Sequence, residues 1–143
     1  MKKEKYLIGI DPDVEKSGFS TIYKNNSTIE KLKFFEIYDR LSKLQEMGIS
    51  PIIYIEKGSL NKSNWHTKTA NSSNFNAKIG EKTGRNFETT NKLIEMFQKF
   101  DLEFYEVKPT KRKLNAETFK NLTGITKKTN QDERDSYMLI FGK

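Results

Sequence analysis

Four carboxylates stand where chemistry could be done. Asp11 closes the apolar run Tyr6-Leu7-Ile8-Gly9-Ile10, and Glu56 closes Ile52-Ile53-Tyr54-Ile55. Asp132 and Asp135 stand three apart in the stretch after Asn130. In a helix that spacing puts both on one side, in line with Ser136 and Leu139. An acid at the tip of a buried strand is costly unless it is neutralised, and converging acids repel unless cations lie between them. Oxygen ligands of this kind suit Mg²⁺ or Mn²⁺. Two such ions about 4 Å apart activate a water and stabilise a leaving oxygen in phosphodiester hydrolysis, with no need of His or Cys. Taken singly, each acid has a structural reading. An Asp after a strand caps a turn, Glu56 can pair with Lys57, and acids in a first helical turn are favoured by the macrodipole. Their joint placement at two strand ends and one helix favours the metal site. Asp13 reads as a turn residue and His66 as a solvated loop residue.

Composition narrows the alternatives. The chain has 143 residues, no Cys and one His, which excludes disulfides, zinc ribbons, thiol nucleophiles and multi-histidine metal sites. Its length is that of one domain, residues 1–143, with enough Leu, Ile, Val and Phe for a core. No apolar run is long enough for a membrane span or a signal-peptide core, so the expectation is a soluble, cytoplasmic protein with no membrane partner. The formal charge of +7 is unevenly spread. Residues 1–56 carry 9 basic and 9 acidic side chains, whereas 57–86 carry 6 against 1 and 108–128 carry 7 against 1. Two basic patches on a neutral-to-acidic body suit a polyanion, of which nucleic acid is the commonest. A solvated lysine-rich surface is the plainer alternative.

The elements that must position these residues follow from periodicity. The run ending at Asp11 is a strand buried on both faces, hence central. Phe19 to Tyr23, a turn at Asn25-Asn26, and Thr28 to Phe35 extend it into an antiparallel meander. Ile37, Leu41 and Leu44 recur at helical spacing until Gly48. The strand closed by Glu56 is followed by residues 57–78, which lack apolar periodicity and predict a long loop holding the isolated aromatics Trp65 and Phe75. Each of these is as well suited to local packing as to stacking on bases. A helix is expected from Ile79 to Phe100, a fifth strand over Glu103 to Val107, and a short helix near Ala116 to Leu122. A last helix should run from Gln131 toward Phe141, with Asn130 and Glu133 as a capping box.

Placed in order, these motifs resemble RuvC-type Holliday junction resolvases of the RNase H-like superfamily, in the small, Lys- and Asn-rich form of phage or viral members. Ile8-Gly9-Ile10-Asp11-Pro12 with Ser17-Gly18 resembles the opening motif, and Ile53-Tyr54-Ile55-Glu56 the second acidic strand. Gly84-Arg85 resembles the start of the central helix, Glu106-Val107-Lys108-Pro109 with Lys113 the next strand and basic turn, and Asn130 to Ser136 the closing helix. The resemblance implies an α/β, RNase H-like fold: a five-stranded mixed sheet, three strands in a meander and two parallel, with helices on both faces. It implies that Asp11, Glu56, Asp132 and Asp135 ligate two Mg²⁺, with Mn²⁺ as a substitute, and that Lys113 contacts phosphate near the cut, with Lys111 or Lys120 as stand-ins. It also implies a homodimer that nicks symmetric strands of a four-way DNA junction. Two departures stand out. Asp13 replaces the usual Gly after Asp-Pro, and the loop after Glu56 is long and basic, with Leu60 or Trp65 as the nearest match to a base-wedging residue.

The expected activity is therefore that of a metal-dependent, structure-selective endonuclease. The arms of branched DNA would be gripped by Lys57, Lys62, Trp65, Lys68, Lys78, Lys82 and Arg85 on one side. Lys108, Lys111, Arg112, Lys113 and Lys120 would grip from the other. Rival readings are another RNase H-like nuclease acting on RNA:DNA hybrids or flaps, a branched-DNA-binding module without catalysis, and a cationic domain for an acidic protein tail.

Overall fold

A computed structural model describes residues 4–60 and 73–143, with 73–80 and 82–83 as helix backbone only. Strands β1 (Leu7–Asp11), β2 (Ser17–Tyr23) and β3 (Asn26–Leu32) form an antiparallel meander. Lys24 and Asn25, both at positive φ, make the two-residue turn between β2 and β3, the geometry that matches strand twist in a hairpin. Helix α1 (Phe34–Glu46) leads to β4 (Ile52–Glu56), a short 3-10 turn at Gly58–Leu60, the long helix α2 (Ser73–Lys99) and β5 (Glu103–Val107). Helices α3 (Ala116–Thr123) and α4 (Gln131–Met138) complete the chain. The sheet order is β3-β2-β1-β4-β5, with β4 parallel to both β1 and β5, so β1 is central as its unbroken apolar run requires.

Each face of the sheet buries its own cluster. Ile8, Ile10, Phe19, Ile53 and Ile55 pack against Ile37, Leu41 and Leu44 of α1 and Leu93, Met96 and Phe97 of α2. On the other face, Ile29, Phe119 of α3 and Tyr137 of α4 form a smaller cluster with Ile22, Leu114 and Ile125 around it. Helix α4 lies almost directly on the sheet backbone. A Cβ on Gly9 would come within 2.0 Å of the Ser136 carbonyl oxygen, and one on Gly18 within 2.2 Å of that of Asp132. The buried Ser20 and Ser136 hydroxyls, 2.6 Å apart, complete this contact.

The expected sheet, meander and two-sided helices are present, and element ends move. β3 stops at Leu32 rather than Phe35, because the Glu36 carboxylate accepts the Lys33 N–H at 2.8 Å and starts α1 there. α2 begins at Ser73 rather than Ile79, since its first turn carries no apolar periodicity to mark it. α4 ends at Met138 rather than Phe141. Residues 61–72 of the expected loop, with Lys62, Trp65 and Lys68, lie outside the described residues.

Candidate metal centre

The parallel pairing of β1 with β4 places Ile10 opposite Ile55, so Asp11 and Glu56 end adjacent strands at the same level. The carboxyl ends of parallel strands are where open α/β sheets place their ligand sites. The third acid comes from α4. Its start is fixed by Asn130, whose side chain accepts the Glu133 N–H at 2.9 Å while Glu133 accepts the Asn130 N–H at 3.2 Å. The two glycines then let the helix settle low enough for Asp135 to reach the strand ends. One carboxylate oxygen from each of Asp11, Glu56 and Asp135 lies within 4.8 Å of the others. Three hard oxygen donors at that spacing, in a cleft of about 220 Å³, fit a divalent cation of the Mg²⁺ type.

The electrostatics follow from acids held close together and away from water. Burial, the charge and hydrogen bond of Glu56, and the charges of Asp132 and Asp135 push the Asp11 carboxyl up to about 10. Lys113 supplies the one cation in contact with the acids among the described residues. Its ammonium donates to Glu56 Oε1 at 3.1 Å and lies 3.0 Å from Asp135 Oδ2. Burial works to lower its pKa, but the hydrogen bond to Asp135 and the charge of Glu56 outweigh that and hold it above the usual lysine range. Arg134 sets the backbone there: its buried guanidinium donates to the carbonyls of Leu114 at 2.9 Å and Thr129 at 2.6 Å.

The sequence-derived residues divide accordingly. Asp11, Glu56, Asp135 and Lys113 converge, whereas Asp132 does not join the carboxylate group and pairs with Lys31 at 3.4 Å. Three residues turn a helix by about 300°, about 60° short of a full turn, so one acid points in and the other toward Lys31 on β3. Lys57 is paired with Glu106, and Arg85 with Glu81 at 2.5 Å. Lys108, Lys111, Arg112 and Lys120 are exposed, and Lys78 and Lys82 lie on α2. Sequence reasoning missed Asn86. Its Oδ1 is buried without a hydrogen-bond partner, alone in this among the described side chains, and the residue lines the acid cleft. Asn86 and the buried Thr90, one turn apart, continue the face of Leu93 and Phe97, a polar interruption of an apolar stripe that was there to be read.

The chain has an RNase H-like fold with an acid-lined cleft at its central strand ends. The chain is similar in structure to T. thermophilus RuvC, solved in complex with a Holliday junction substrate. The TM-score is 0.53 at 13% sequence identity, covering 94% of this chain and 89% of that one. No protein-family model and no curated protein matches the sequence. Among the described residues no helix is long and apolar enough to cross a membrane.

Proposed function

We propose that this protein is a metal-dependent endonuclease that cuts four-way junctions and related branched DNA by phosphodiester hydrolysis, acting as a homodimer. The observation that carries this reading is the convergence of Asp11, Glu56 and Asp135 within 4.8 Å on an RNase H-like sheet. Asp11 and Glu56, fixed by strand pairing, and Asp135, carried on α4, would hold a pair of Mg²⁺ ions, with Mn²⁺ able to replace them. Bound divalent ions lower the pKa of water and stabilise the oxygens of an in-line displacement. Asp11, which faces both of the other acids, would serve as a ligand in its ionised form. Asp132, held by Lys31 at the edge, adds negative potential without needing to touch an ion. Lys113, standing between Glu56 and Asp135, is placed to meet a phosphoryl oxygen drawn into the cleft.

The test is an immobile four-way junction incubated with the wild-type protein and Asp11→Asn, with Mg²⁺ and with chelator. Wild type should nick two symmetric strands only with Mg²⁺. Losing a ligand worth several kcal/mol of transition-state stabilisation should slow Asp11→Asn by about 10³-fold while junction binding persists. Equal nicking by both proteins would reject the site. One observation favours a second reading. Lys113 already ion-pairs with two of the three acids, as a binding module without catalysis would have it. Junction binding with no nicking at any Mg²⁺ or Mn²⁺ concentration would select that class, and preferential cutting of an RNA:DNA hybrid would select the other RNase H-like rival.

A further inference from the structure

The side chain of Asn86 is out of place in a packed helix. It stands inside α2 on the stripe of the buried Thr90, Leu93 and Phe97. Asn is a poor helix former, and a polar group on a core-facing stripe is costly unless it is hydrogen-bonded. Here the carbonyl end of the amide is not: Oδ1 is buried and has no partner. Buried acceptors without a donor are rare enough that each calls for a reason. The cleft it lines offers none of its own side chains to complete it. The Thr90 hydroxyl donates to the Asn86 backbone carbonyl at 2.9 Å, and the Lys113 ammonium is taken by Glu56 and Asp135. The other charged side chains of the cleft are carboxylates, which only accept when ionised. The missing donor must therefore come in with whatever fills the cleft. A Mg²⁺ ion brings such donors, because it dehydrates reluctantly and keeps several waters beside one or two carboxylates.

We infer that Asn86 is a positioning residue of the metal centre, whose side-chain carbonyl accepts a hydrogen bond from a water carried by the divalent ion. The inference rests on the proposed metal site and adds to it a member outside the acids. The last torsion of an Asn side chain is broad, so a turn of the amide presents the carbonyl to the cleft at little cost. Groups that hydrogen-bond to what a metal holds orient it and raise affinity without touching the ion. A neutral amide does this without adding charge to a cluster of acids that already repel one another.

The experiment is calorimetric titration with Mg²⁺ beside thermal melts in chelator, for wild type, Asn86→Leu and Asn86→Asp. Leu copies the branched shape of Asn without its polar atoms. Because the carbonyl it removes has no partner in the ion-free protein, Asn86→Leu should melt within about 4 °C of wild type in chelator. Its Mg²⁺ affinity should fall about tenfold, the equivalent of about 1.4 kcal/mol. Asn86→Asp keeps an oxygen at the same place and should bind Mg²⁺ at least as tightly as wild type. Should Asn86→Leu fail to fold, Asn86→Ala carries the same two readings. An amide that served only the packing of α2 gives the reverse pattern, a lower melting temperature in chelator with Mg²⁺ affinity unchanged. Unchanged Mg²⁺ affinity in the apolar variant, or Asn86→Asp binding as weakly as that variant, overturns the inference and leaves the nuclease reading standing. Wild type that binds no Mg²⁺ and nicks no junction overturns the nuclease reading and this inference with it.

Discussion

At the scale of single residues, the acid cluster ties folding to pH and, on the proposed reading, to metal. The Asp11 carboxyl moves from an ordinary 3.8 to about 10 in the metal-free fold. Between those values the folded protein holds a proton that the unfolded chain has released, so metal-free stability falls as pH rises through the window and is greatest below it. Melting curves in chelator should therefore show wild type losing stability relative to Asp11→Asn between about pH 5 and about pH 9, and Mg²⁺ should rescue it more at the higher pH. Parallel curves for the two proteins would contradict the shared burial of these acids. Lys113 answers to the same balance. It neutralises Glu56 and Asp135 at 3.1 and 3.0 Å, so Lys113→Met should lower metal-free stability by about 1–3 kcal/mol. The same change should tighten Mg²⁺ binding about tenfold, because the dication no longer competes with an ammonium. Calorimetric titration with Mg²⁺ reads this directly, and weaker binding in the variant would mean that Lys113 assists the ion rather than competing with it.

At the scale of elements, the site depends on how closely α4 approaches the sheet. Gly18 lies opposite Asp11 across the β1–β2 ladder, and the atom its Cβ would meet at 2.2 Å is a backbone oxygen, which cannot swing aside. Gly18→Ala should lift α4, cost about 3 kcal/mol and lower the melting temperature by about 10 °C. Gly84 is the internal control: nothing lies within 4 Å of its Cβ position in α2, so Gly84→Ala should raise stability by about 0.5–1 kcal/mol. Thermal melts of the pair should move in opposite directions, and similar small shifts in both would disprove the tight seating of α4. Arg134 matters at this scale too, since the two loop carbonyls it bridges fix the approach of Lys113 to the acids.

At the scale of the whole molecule, the acids sit in a cleft that Pro109 and Lys113 of the basic segment 108–128 help to line, a charge pattern suited to a polyanion. Lys108, Lys111, Arg112 and Lys120 are exposed, whereas Lys57, whose N–H donates to the Val107 carbonyl beside Lys108, and Arg85 on α2 are engaged by Glu106 and Glu81. Phosphate contacts confer affinity and salt dependence but little sequence information. Junction affinity should fall linearly with log salt concentration. Replacing Lys108 and Arg112 together by Ala should flatten that slope by about 2, with little change in which junction sequence is preferred. An unchanged slope would mean that the DNA approaches from the α2 side.

The sequence by itself determined the central strand, the two acids at strand ends and the capped last helix. Each is written in local pattern: an apolar run stopped by a carboxylate, or a cap three residues before its partner. Partition of charge into two basic segments was equally legible. Only the tertiary structure decided that Asp135 faces the cleft while Asp132 turns to Lys31, because that depends on the rotation and depth of α4 against Gly9 and Gly18. It alone put Lys113 between Glu56 and Asp135, residues 57 and 22 positions away, and left the Asn86 oxygen without a partner. Such contacts are set by how packed elements meet in space, and no local window of residues contains them.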